Sequence, residues 1–148
     1  MFMNTLTWEK RHPIGLGIIA AAASGGAAYY GVNLPSDSAF FSSVITLGGI
    51  FAAFAVTLKS MMLSNEKKMK ILAESGYKPI FMGYFSSSID GALLLCFIGL
   101  LGFFDQISAL FWFAPLVIGC FVYALLALRR TTLVSNAVIR QTEKRSAG

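Results

Sequence analysis

The chain has 148 residues, of which 56% are hydrophobic and only 13% charged, and its mean hydropathy is +0.69. This is too little charge for an ordinary soluble domain. The net charge of +5 arises from 12 Lys and Arg against 7 Asp and Glu. The basic residues form three clusters separated by long apolar runs, so retention of positive charge on the cytoplasmic side of a bilayer accounts for the excess and nucleic-acid binding is not needed.

Lys10 and Arg11, with Trp8 as an interfacial anchor, precede the first run. That run, residues 14–34, is rich in Gly and Ala. Gly17, Ala21 and Gly25 recur every four residues and predict a small-xxx-small face for close helix approach. Tyr29 and Tyr30 mark the outer interface and Pro35 the stop. Lys10–His12, the apolar run and the small residues Ala21–Ser24 mimic a signal peptide, but the run continues through Tyr30, and an uncleaved span is expected.

The second span is predicted over residues 39–63. Ser42, Thr46, Gly49, Ala53, Thr57 and Ser60 fall on one helix face, a hydroxyl-bearing stripe suited either to helix packing or to lining a pore. The connection that follows carries Lys67, Lys68, Lys70 and Lys78, after Lys59 at the span's inner end. It reads as a cytoplasmic helix over 65–75 that Gly76 stops.

The third span, residues 79–104, opens on Pro79 and places Gly83, Ser86, Ser87 and Asp90 on one face. Asp90 is the one ionisable side chain in the middle of a span. A carboxylate at a helix centre costs about 2.5–3.5 kcal/mol on an insertion scale, and such residues usually mark an ion or proton pathway. The alternative is a neutral Asp90 bonded across helices to Thr46 or Ser42. The fourth span, residues 107–128, begins with the aromatic belt Phe111, Trp112 and Phe113, and Pro115 is a candidate kink. From Arg129 to Lys144 the tail lacks strong breakers and predicts a continuation of the fourth span into the cytoplasm as an amphipathic helix over 129–144, with Leu133, Val134, Ala137 and Val138 on one side.

The connections around Asp37 and Asp105 hold no basic residue. The expectation is therefore a single all-α transmembrane domain over 1–148, an integral four-helix protein with both termini cytoplasmic and its basic surface near anionic headgroups. Cys96 and Cys120 lie at different depths, so no disulfide between them is expected, and His12 lacks a second ligand for a metal. No nucleophile–base arrangement, P-loop or glycine fingerprint appears, so neither an enzyme nor a cofactor is expected. Four helices of this length leave no internal channel. A pore would form between subunits of a homo-oligomer, with Asp90, Ser86, Ser87, Thr46 and Ser42 along the ion path and Gly17, Ala21, Gly25, Gly49 and Ala53 in the helix contacts.

The order of features resembles the RexB family, small four-span membrane proteins of lambda-type prophages. A polar start with Pro13, Tyr30-Gly31-Val32 at the outer end, a basic inner loop with Glu74 closing on Gly76-Tyr77, and Asp90 ahead of Ala92-Leu93-Leu94-Leu95-Cys96 carry that resemblance over most of the chain. It implies an ion channel that depolarises infected cells, placed in the inner membrane of a bacterium. The chain departs from the RexB pattern in having Asp where those proteins carry a longer acid, and in a first span much richer in Ala and Gly. The small membrane subunit of Kiwa-type phage defence has a comparable plan and implies a sensor with a cytoplasmic partner. A gated channel, a sensor or scaffold that docks a soluble protein, and a small proton-coupled transporter are the three functional expectations.

Overall fold

A computed structural model describes residues 2–146, and the side chains of residues 12–66, 69, 70 and 72–139. The anchors Trp8, Lys10 and Arg11 and the basic side chains of Lys67, Lys68, Arg140, Lys144 and Arg145 lie outside that described set. The described residues form six helices and no strand: α1 (Phe2–Tyr29), α2 (Ser38–Leu63), α3 (Glu66–Glu74), α4 (Lys78–Leu101), α5 (Asp105–Ser108) and α6 (Phe113–Ser146).

Local chemistry explains the boundaries. Asp37 caps α2, its carboxylate accepting from the Phe40 N–H at 3.3 Å. Helices α1 and α3 end in the same way. Gly31 and Gly76 take the left-handed conformation (φ 87° and 68°) that a Cβ disfavours. The N–H of Val32 then reaches the Ala27 carbonyl, and that of Tyr77 the Leu72 carbonyl, so the last carbonyls are satisfied. Pro79 lies in the first turn of α4, where its missing N–H costs nothing.

Among the described residues three helices, α2, α4 and α6, are long and apolar enough to cross a membrane, where the sequence predicts four spans. Around the first predicted span, the part of α1 whose side chains are described, residues 12–29, includes polar His12, Ser24 and Tyr29 beside its Gly and Ala. Helix α1 also begins at Phe2, carries Pro13 inside it, and ends at Tyr29, five residues before the predicted end at 34. The fourth span begins at Phe113 rather than 107. Asp105–Ser108 form a separate short helix, and the aromatic belt straddles the turn into α6. Pro115 therefore sits in the first turn of α6, where proline is tolerated without a kink. Helix α6 then runs unbroken into the tail. Val134 and Val138 pack inward there, whereas Leu133 and Ala137 are exposed.

Helix α6 is the hub. Helix α1 packs antiparallel along it, with Gly25 beside Pro115 and Gly17 beside Gly119 and Tyr123. Helix α4 is also antiparallel to α6, with Gly91 against Tyr123 and Ala124. Helix α2 runs parallel to α6, its Phe41 and Phe51 rings meeting Phe113 and Phe121. These directions make an up-down-up-down array.

Two clusters fill the space between α2, α4 and α6. One joins Phe41, Val44, Leu95, Ile98, Phe113 and Val117. The other joins Met62, Leu72, Phe81 and Phe85 and fastens α3, through Leu72 and Met69, to the opposite end of the bundle. Apolar contact between helices drives little in lipid, so association depends on close packing and hydrogen bonds. The seams accordingly use glycine. A Cβ on Gly119 would lie 2.8 Å from both the Gly17 carbonyl oxygen and the Ala21 Cβ, and one on Gly48 would lie 2.6 Å from Cys96 Sγ.

Candidate functional site

Between the two apolar clusters the α4·α6 seam turns polar. Ser88, 2% exposed, donates to the Ala127 carbonyl at 2.9 Å and lies 2.6 Å from the Thr131 hydroxyl. Thr131 Oγ1 lies 3.1 Å from the carbonyl oxygens of both Tyr84 and Ala127. The neighbouring Arg130 lays its guanidinium 4.3 Å from the centre of the Tyr84 ring and donates to Ser87 Oγ at 2.9 Å. Ser87 in turn donates to the Tyr84 carbonyl at 3.0 Å. The cation is thus stacked on an aromatic face and hydrogen-bonded, two ways of holding a guanidinium away from bulk water. One turn further, Ser135 is 1% exposed, and its hydroxyl makes no hydrogen bond among the described residues.

Asp90 has the opposite environment. It lies near the midpoint of the 24-residue α4 and is exposed. The residues of α4 that meet α2 and α6, among them Gly91, Ala92, Leu95 and Gly99, lie on the other side of the helix. Asp90 shares its outward face with exposed Gly83, Ser86, Leu94 and Phe97.

Several expected pairings are not made within the protomer. Thr46 donates to the Ser42 carbonyl of its own helix at 2.8 Å, and both residues are exposed on the side of α2 turned away from α4. Neither is a partner for Asp90, because the two surfaces point in opposite directions. Ser87 serves Arg130 rather than Asp90, while Ser86 remains exposed beside the acid. The five predicted pathway residues therefore divide into an α4 face with Asp90 and Ser86, an α2 face with Ser42 and Thr46, and Ser87 in the inner seam.

The small residues divide similarly. Gly17 and Ala21 approach Gly119, and Gly25 meets Pro115. Gly49 and Ala53 are exposed, and a Cβ on Gly49 would touch nothing within 4 Å. The close α2·α4 contact is made by Gly48 instead, since adjacent helix positions differ by about 100° in direction.

Sequence reasoning missed Tyr84, Ser88, Arg130, Thr131 and Ser135. In the sequence Arg130 reads only as a topology signal, and Thr131 and Ser135 as part of the tail. The available signal was the i, i+4 spacing of Tyr84 and Ser88 on α4 and of Thr131 and Ser135 on α6. Cys96 and Cys120 are both free, the Cys96 thiol donating to the Ile45 carbonyl at 3.5 Å. Among the described residues no group of three His, Cys, Asp or Glu could hold a metal ion. Compared with protein-family models, curated proteins and solved structures, the chain matches none.

Proposed function

We propose that the protein is an oligomeric multi-pass protein of a bacterial inner membrane that conducts ions along a path between its subunits, as a gated, depolarising effector in phage defence. The exposure of Asp90 midway along an apolar helix carries this reading. A carboxylate facing hydrocarbon costs about 2.5–3.5 kcal/mol, so residues of this kind face protein or a watery cavity. The protomer leaves that face open, so another copy and water are the natural cover. Aromatic and aliphatic side chains fill the interior of α2, α4 and α6, which favours a route between copies over one through a single chain. The depolarising role and the phage-defence setting come from the RexB-like order of features.

In this reading α1 crosses the bilayer as a fourth helix, its weak apolarity offset by the glycine face it buries on α6. The antiparallel register of α1 and α6 brings His12 to the end of the bundle where Lys59, Lys70, Lys78, Arg129 and Arg130 lie. That end is taken as cytoplasmic. Single cysteines at Ser36 and Ser108, in a chain with Cys96 and Cys120 replaced by Ala, should label from outside, and one at Ser75 should not. The reverse pattern would overturn this orientation.

Purified protein in planar bilayers should pass current without any counter-substrate. Silence there, together with substrate-dependent proton flux in vesicles, would favour a transporter. The scaffold reading is favoured by one observation, the platform that α3 makes with the inner ends of α2, α4 and α6. It predicts that replacing the exposed Glu66, Lys70 and Glu74 abolishes function while Asp90→Asn has no effect.

A further inference from the structure

An apolar groove of about 290 Å³ opens between α1 and α4 over the surface of α6. Ile14, Gly17 and Ile18 form one wall, Leu94 the other, and Leu116 and Tyr123 line the floor. It runs along the helix axes, and its sides are open to the surroundings of the bundle.

What lies at its inner end distinguishes it from an ordinary gap between helices. Ser87 is two turns from Leu94 on the same side of α4, and Arg130 is two turns from Tyr123 on the same side of α6. The 2.9 Å hydrogen bond from Arg130 to Ser87 therefore crosses the seam in line with the groove, two turns nearer the basic end. The Tyr84 ring holds the guanidinium at that point. Arg130 lies roughly 25 Å along α6 from Phe113 at 1.5 Å per residue, and a bilayer core is about 30 Å thick. With Phe113 at the outer edge of the hydrocarbon, the charge lies about 5 Å short of its inner edge, near the headgroups, whereas the groove sits deeper in the hydrocarbon. Asp90, one turn from Leu94 towards the same end, bars an anion from moving deeper.

We propose that this groove binds one anionic phospholipid of the inner leaflet, an acyl chain lying along Ile18, Leu94 and Leu116 and the phosphate meeting Arg130. Basic pockets between transmembrane helices on the cytoplasmic side recognise anionic headgroups by this combination of a fixed cation and an apolar slot. The site stands independently of ion conduction and is measured on protein in detergent, so its failure leaves the channel reading untouched.

The test is native mass spectrometry of the full chain in an uncharged detergent, titrated with dioleoyl phosphatidylglycerol or phosphatidylcholine. Phosphatidylglycerol should bind about fivefold more tightly, the factor that one basic residue near an anionic group contributes. Arg130→Gln should erase the preference, whereas Arg129→Gln, which removes the same charge from an exposed neighbour, should keep it. Leu94→Trp, filling the slot, should weaken both lipids, and glycerol 3-phosphate should not compete. Equal binding of the two lipids by the parent contradicts the proposal. So does equal loss of preference in the two Arg variants, which would mean diffuse surface charge, and so does displacement by glycerol 3-phosphate, which would mean a free-phosphate site. If Arg130→Gln does not fold, Arg130→Lys and Leu94→Trp decide: Lys should retain the preference, and a Trp variant that holds lipid like the parent rules the groove out.

Discussion

Ser88 and Asp90 stand two residues apart on α4 and have opposite environments. Ser88 faces the α6 seam, where Thr131 and the Ala127 carbonyl satisfy it inside the protomer. Asp90 faces away from that seam and from α2, exposed at midspan. The contrast separates two uses of polarity in one membrane helix. The seam hydroxyls hold the protomer together, since an interhelical hydrogen bond of this kind is worth about 0.6–2 kcal/mol. The carboxylate contributes nothing evident to the protomer, and on the proposed reading its cover comes from another copy and water. Stability should therefore follow the seams, and activity should follow the open face.

The largest effect should come from the glycine seam. Gly119→Leu drives a side chain into the backbone of α1 at Gly17, which cannot yield as a flexible side chain can. Overpacking of this kind costs about 1–3 kcal/mol or more, and loss of monodisperse protein on size exclusion is expected. Gly49→Leu meets nothing in the protomer. It should leave the unfolding midpoint unchanged while shifting the oligomer band in cross-linking. A Gly49→Leu protein that assembles like the parent would show that the α2 stripe faces lipid.

A smaller loss is expected of Thr131→Val, which keeps the shape but removes the hydroxyl shared by Ser88 and two carbonyls. Denaturant titration in mixed micelles should show a loss of about 1–2 kcal/mol. Asp90→Leu, like Gly49→Leu, should barely change stability, staying within about 0.5 kcal/mol of the parent, as for a surface position away from packing and hydrogen bonds. If Asp90→Leu unfolds the protomer more readily than Thr131→Val does, the division between seam and open face is wrong.

The sequence made some of this legible and hid the rest for identifiable reasons. The spacing of Gly17, Ala21 and Gly25 was readable because a period of four marks one helix face whatever that face meets. The choice between Gly48 and Gly49 was not, since it turns on the direction from which α4 approaches. The polar seam was hidden by the Arg129-Arg130 pair, which reads as a membrane boundary. Helix α6 passes through that boundary without a break, so Thr131 still faces α4 and Ser135 is buried. Asp90 was readable as an anomaly from composition alone, but its direction was not. The outward turn follows from which side of α4 the glycines Gly91 and Gly99 bring against α6 and α2.

The most direct test of the account is the reversal potential of the purified protein in planar bilayers under a potassium chloride gradient, compared between the parent and Asp90→Asn. A ring of carboxylates lining a path between subunits favours cations. The parent should therefore reverse towards the potassium equilibrium potential, and Asp90→Asn, assembled to the same size, should reverse closer to zero. Reversal potentials that coincide in the two proteins would contradict the account and reduce Asp90 to a surface residue without a part in conduction.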